Sequence, residues 1–236
     1  MSGLSDVGGQ GGFRHPARRH PRTRQTLGMG QALQAFGILV VAFVAGAIPF
    51  SQIAARRTRG VDLRAVGSGT VSGTSLYRVA GFGPLAAAGV LEVAKGAAGP
   101  GLATAAGRPT VAALAAGAAV AGHNWSPFLR GAGGRGLSPA LGALLVVAWP
   151  GAVLLLAGMI LGSVSGETAI GALIAELALT PVLAITHGAN GALAGAVITI
   201  PILTKRLVGN ARPAEPGLHP YVMRLLFDRD TRTKVA

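Results

Sequence analysis

QTLGMGQALQAFGILVVAFVAGAIPFSQIAA, residues 25–55, runs from Arg24 to Arg56 without one Asp, Glu, Lys or Arg. A second such stretch, GLSPALGALLVVAWPGAVLLLAGMILGSVSG, residues 136–166, separates Arg135 from Glu167. A helix needs about 20 apolar residues to cross the hydrocarbon core of a bilayer. A soluble domain does not normally hold two longer charge-free runs. The reading is an all-α, polytopic transmembrane helix bundle.

The rest of the composition agrees. Of 236 residues, 50% are hydrophobic and only 12% charged, against about 25% charged in soluble domains. The 37 glycines suit a membrane bundle, where small residues let helix backbones approach closely. With no cysteine, disulfides and thiolate metal sites are excluded, and five scattered His give no metal site. No cofactor is expected. The net charge is +13. Basic loops against anionic lipid account for that charge, and so does a phosphorylated ligand. Nucleic acid is not expected, because no recognition motif accompanies the arginines.

Spans are predicted at roughly 32–54, 80–105, 110–128 and 138–162, the last with Pro150 inside it. The stretch 168–204 is too long for one span and is interrupted at His187-Gly188-Ala189-Asn190. Two short helices, 168–186 and 191–206, are predicted there, giving about 5–7 spans in all. Residues 1–30 read as a disordered basic tail, 31–208 as the membrane domain and 209–236 as a basic C-terminal tail. The N-terminal tail and the loop at 55–78 each carry five arginines, on opposite sides of the first span, so charge asymmetry alone does not orient the chain.

Three polar segments carry candidate chemistry. In Gly67-Ser68-Gly69-Thr70-Val71-Ser72-Gly73-Thr74-Ser75, glycines and hydroxyls can turn several donors on one anion. Arg78 follows and can neutralise a phosphate. A flexible polar loop is the competing reading. The second segment, His123-Asn124-Trp125-Ser126-Pro127-Phe128 with the turn Gly133-Gly134-Arg135-Gly136, can hold a second phosphate or carboxylate, or a lipid head group. The third is Glu92 with Lys95, three residues apart and therefore on one helix face. An ionisable group within a span costs at least ~2.5 kcal/mol at mid-bilayer and marks function by default; a structural ion pair is the alternative. There is no Walker loop, no Gly-x-Ser-x-Gly elbow and no His with an Asp five residues later.

Together these segments resemble the bacterial acyl-phosphate-dependent glycerol-3-phosphate acyltransferases of the PlsY type. Gly46-Ala47-Ile48-Pro49-Phe50 is similar to the family's G-S-I-P-F/x. Val66 to Arg78 is similar to V-G-S-G-N-x-G-A-T-N-x-x-R. Glu92-Val93-Ala94-Lys95-Gly96 is similar to D-x-x-K-G. Gly122 to Leu129, followed by Gly133 to Gly136, is similar to G-H-x-F-P-x-F-L and G-G-K-G.

The resemblance implies transfer of a fatty acyl group from acyl phosphate to glycerol 3-phosphate, or a related phospho-alcohol, giving lysophosphatidic acid for phospholipid synthesis. It implies no covalent acyl-enzyme. Ser68, Lys95 and His123 are the implied catalytic residues. Gly67, Gly69, Thr70, Thr74, Ser75, Arg78, Gly133, Gly134, Arg135 and Gly136 are the implied substrate and phosphate ligands. Membrane lipids are implied neighbours, and the location is the cell membrane, multi-pass, with a cytoplasmic active face. Thr70 and Ser75 stand where the family has Asn, and Arg135 where it has Lys. The closing H-R-x-N-I-x-R-L-x-x-G-x-E segment is reduced to Lys205-Arg206-Leu207-Val208-Gly209, with Ile200 and Leu203 in place of its His and Asn. A non-catalytic relative that binds acyl phosphate or phospholipid, and a small transporter of a phosphorylated solute, are the alternatives.

Overall fold

The computed structural model describes residues 21–213 and 216–229. Helices α1 (Pro21–Ala47), α2 (Phe50–Arg59), α3 (Gly73–Ala80), α4 (Phe82–Ala105), α5 (Pro109–Asn124), α6 (Leu137–Val147), α7 (Trp149–Val164), α8 (Thr168–Val208) and α9 (His219–Phe227) are joined by short turns, and no strand occurs among the described residues. Two stretches are long and apolar enough to cross a membrane, Gly28–Arg59 and Thr168–Val208; α6 and α7 are apolar but shorter. The chain divides into residues 1–34 and a compact unit from Ala35 onward. Of the expected N-terminal tail, residues 1–20 lie outside the described part, while 21–30 are already the first turns of α1.

Within the larger unit, small residues set the helix spacing. A Cβ at Gly46 would fall on the Ala119 carbonyl, one at Gly122 on that of Phe43, and one at Gly96 on that of Pro139. These backbones therefore touch, as interhelical contacts in membranes require. Most buried hydrophobic residues are alanine, and the main cluster adds Val120, Leu144, Leu155, Leu179, Leu183, Ile198 and Ile202. Large apolar side chains such as Phe36, Val90, Leu161 and Ile185 point outward. That inversion of the soluble pattern fits lipid as the outer solvent.

The interruption expected near His187 is present. Gly188 takes φ +62° and ψ −148°, which breaks α8 in two. The arms fold back on each other, with Gly191 against Leu183, Gly195 against Thr180 and the Thr199 hydroxyl donating to the Glu176 carbonyl. The sequence predicts Pro150 inside a single span, and here the structure differs. Ala148 is extended (φ −167°, ψ 78°), and the chain reverses there. Val146 and Val147 reach the level of Thr104 and Asn190. From that level α7 starts beside Leu183 at Gly151 and returns to Gly162 beside Thr168. Proline opens α7 because a first-turn residue needs no helical N–H partner.

The alternation brings the ends of α1, α5, α7 and α8 to one end of the unit, where the polar segments gather. Residues 209–213 and 216–229, expected as a plain tail, also return there. Arg224 of α9 is buried and donates to the carbonyls of Leu207, Val208 and Ala211. It thus caps the end of α8.

Candidate active site

The centre of the site is built from α4 and α5. Three-residue spacing puts Glu92 and Lys95 on the same face of α4, and both are buried. Lys95 Nζ lies 2.6 Å from Glu92 Oε2, 3.1 Å from His123 Nδ1 and within hydrogen-bond reach of the Ile48 carbonyl. The Ile48 carbonyl accepts from this ammonium and the Glu92 carboxylate pairs with it, so Lys95 is held within the protein. Glu92 Oε1 accepts from both the amide and the hydroxyl of Ser51, and its Oε2 is 3.2 Å from His123 Nδ1. Proline at 49 explains the access. The helix ends at Ala47 and restarts at Phe50, which frees the Ile48 carbonyl and the Ser51 amide for these contacts.

His123 lies in the last turn of α5, and its other ring nitrogen faces the second glycine turn. A Cβ at Gly134 would sit 2.2 Å from His123 Nε2 and 2.6 Å from the Val71 carbonyl. Only glycine fits there. The same turn is tied to the first loop: Val71 N donates to the Gly133 carbonyl at 3.1 Å. Asn210 locks both, donating to the carbonyls of Gly69 and Gly133 and accepting from Gly133 N. The two glycine segments, read separately from sequence, are thus neighbours beside the Glu92–Lys95–His123 cluster.

The first loop is less uniform than its composition implied. Gly67 and Gly69 both take positive φ. Ser68 Oγ bonds Thr70 Oγ1 at 2.9 Å. Ser72 caps α3 through Ser75 N, and Ser75 Oγ donates to the Thr70 carbonyl. Ser75 therefore shapes the loop, while Thr74 and Arg78 are exposed one turn apart on α3. Beside the loop, Asp62 accepts from Arg64, Arg56 and Gln52. Its carboxyl is held well below the usual range, first by the Arg64 bond and then by Arg56, against the opposing effect of burial.

Around the second turn, Arg135 and Gly136 are buried with Gly133 and Gly134. Arg135 donates to the Lys205 carbonyl and to Asp228. Lys205 is buried at 1% exposure, over the Trp125 ring at 5.5 Å and 3.4 Å from the Gly131 carbonyl. Sequence reasoning missed Ser51, Lys205, Asn210 and Asp228 as parts of this region. The basic pair Lys205-Arg206, buried at the end of an apolar helix, is the local signal that points to one of them. Glu176 and Arg206 form a second buried pair at 3.0 Å.

The model for "Glycerol-3-phosphate acyltransferase" matches residues 36–211. A glycerol-3-phosphate acyltransferase of Synechococcus sp. (strain CC9902) is 36% identical over 157 residues, 66% of this chain and 78% of that one. One of Brucella suis is 33% identical over 180 residues, 75% and 88% of the two chains. The match to glycerol-3-phosphate acyltransferase 2 of Moorella thermoacetica is shorter, 43% identical over 111 residues, covering 47% of this chain and 57% of that one. In fold, the chain is similar to crystal structures of PlsY, described as an integral membrane glycerol 3-phosphate acyltransferase. The glycerol 3-phosphate form gives a TM-score of 0.70 at 24% identity, over 85% of this chain and 96% of that one. With the matched segment spanning both glycine turns and the Glu92–Lys95–His123 cluster, the chain belongs to the glycerol-3-phosphate acyltransferase family and is a membrane acyltransferase.

Proposed function

We propose that the protein transfers a fatty acyl group from acyl phosphate to glycerol 3-phosphate, releasing inorganic phosphate and lysophosphatidic acid. The observation that carries this reading is the meeting of two glycine segments, one of them holding buried Arg135, beside one buried imidazole. Two phosphorylated substrates need two anion sites. A hydroxyl that attacks needs a base between them.

The acceptor's primary hydroxyl forms a bond to the acyl carbonyl carbon while the bond from that carbon to the phosphate oxygen breaks. With the ring proton on Nδ1, facing the Glu92 carboxylate, His123 takes the hydroxyl proton through Nε2, and the leaving phosphate departs with the bonding electrons. Glu92 orients the ring through Nδ1 and Lys95 pairs with Glu92, so their role is positioning. Ser68, Thr70 and the loop amides, with Arg78, face one phosphate; Arg135 and Lys205 face the other. Most of the rate then comes from alignment and preorganised charge.

The site lies at the cytoplasmic face of the cell membrane. In the unit from Ala35 onward, the arginines of α2, α3, the second turn and α9 lie at the glycine-loop end, and Arg108 marks the other end. Positive charge favours the cytoplasmic side.

Purified protein given acyl phosphate and radiolabelled glycerol 3-phosphate should release one phosphate per lysophosphatidic acid formed. Phosphate release that does not depend on acceptor, with no labelled lipid, contradicts the proposal.

A further inference from the structure

The matched family segment ends at residue 211, yet the chain continues through α9 and returns to the site. α9 is anchored at two points. Arg224 caps α8 as described, and Arg206 donates to the Leu225 carbonyl. Just past the anchors, Asp228 presents its carboxylate to Arg135 Nε at 2.5 Å. Among the described residues no other carboxylate pairs with Arg135.

We propose that Asp228 is an internal competitor for the substrate phosphate at Arg135. It is a latch that keeps Arg135 paired when the anion site is empty and is displaced when phosphate enters. The inference rests on the assignment of Arg135 as a phosphate ligand made above, and it adds a residue outside the family segment to that subsite.

Three observations support displacement over a permanent strut. First, charge is unbalanced. Buried Arg135 and Lys205 adjoin, the Arg135 guanidinium donating to the Lys205 carbonyl at 3.0 Å, and one carboxylate answers two cations. A phosphate dianion answers both, and in a buried site that difference is weighted by low dielectric. Second, the two partners differ in exposure. The Asp228 side chain is 30% exposed, against 6% for Arg135. The carboxylate can regain water with little movement, whereas the guanidinium cannot. Third, Asp228 takes φ +50°, a left-handed conformation uncommon for a non-glycine residue, although Asp is among those that tolerate it. The residue that follows, Arg229, is tied to Glu167 by an exposed ion pair at 2.8 Å, a weak class of contact. The end of α9 can therefore release while Arg224 and Arg206 keep the helix docked.

The test is glycerol 3-phosphate binding to detergent-solubilised full-length protein, read by thermal stabilisation and by isothermal calorimetry. Asp228→Asn should bind about tenfold more tightly than wild type, since a charged competitor is removed. Asp228→Glu should return towards wild type, and Glu167→Gln should change affinity little. A permanent positioning role predicts the opposite sign for Asp228→Asn. Unchanged or weaker binding by that variant overturns the latch, as does absence of binding by both proteins. As a second measurement, the chain has no cysteine, so Arg229→Cys carries a single spin label. Glycerol 3-phosphate should mobilise that label, and an unchanged spectrum overturns the latch even if Asp228→Asn does not fold. Tighter binding by Asp228→Asn in a protein that shows no acyl transfer would leave the latch standing and sink the proposed reaction instead.

Discussion

Glu92–Lys95 and Glu176–Arg206 are both acid–base pairs buried among apolar helices, yet their surroundings differ. The first touches an imidazole that faces a glycine turn, and its outer contacts come from the broken helix at Ile48 and Ser51. The second sits inside the α8 hairpin, with Arg206 also donating to the carbonyls of Ala169 and Leu225. Each pair leaves one carboxylate oxygen, Glu92 Oε2 or Glu176 Oε2, without a hydrogen-bond partner among the described residues, and Arg206 Nε also has none. Burial and charge alone thus do not mark a catalytic group. Contact with a buried imidazole and with the glycine turns distinguishes the first pair.

The comparison can be broken by replacing each pair with leucines. A buried ion pair replaced whole by apolar residues is often neutral or stabilising by about 1–4 kcal/mol, whereas removal of one partner costs about 3–5 kcal/mol. Lys95→Met should therefore give the largest effect, destabilising by ~3–5 kcal/mol and lowering acyl transfer by about 100-fold or more as His123 loses its orientation. Glu92→Leu with Lys95→Leu should recover thermal stability but not turnover. Arg206→Leu should cost a similar ~3–5 kcal/mol in detergent unfolding, while the Glu176→Leu, Arg206→Leu double variant should regain both stability and activity. If that double variant folds and is inactive, the second pair is functional and the distinction fails.

Gly134→Ala comes next. The added methyl meets His123 Nε2 and the Val71 carbonyl, and a misplacement of about 1 Å is worth roughly 100-fold in rate. kcat should fall with the helix content unchanged by circular dichroism.

The smallest effect is at Asp62. Its folded pKa lies below the unfolded value, so its contribution is present above about pH 4 and is lost as pH falls through the lower folded value. Proteolysis of the loop between α2 and α3 should be flat from neutral pH to about 4 and rise below it. Asp62→Asn should remove the pH dependence and loosen the loop at every pH, by ~1 kcal/mol or less, as expected for a partly exposed pair.

Much of this architecture is visible in one dimension because lipid imposes a local rule: no charge over a span's length. Residues 25–55 and 136–166 obey it, and the hairpin at Gly188 shows itself as a polar interruption in a run too long for one span. The reversal at Ala148 does not. Its residues are apolar on both sides, and Pro150 reads equally as a kink or as a helix start. The site divides the same way. Glu92 and Lys95 are found by spacing, and the glycine segments by composition. Asn210 and Asp228 acquire their roles from partners 77 to 141 residues away, a distance at which sequence pattern carries no signal, whereas Lys205 is marked only by its place in a basic pair ending an apolar helix. The surroundings of Lys95 are hidden for a related reason, because it donates to the Ile48 carbonyl, which is available only because the helix breaks there.

Initial rates of lysophosphatidic acid formation, wild type against a Ser68→Ala, Arg78→Ala double variant, test the central claim most directly. Wild type should turn over acyl phosphate and glycerol 3-phosphate, and the double variant should fall to background while remaining folded. Equal rates, or no product from wild type with any phospho-alcohol acceptor, would contradict the account.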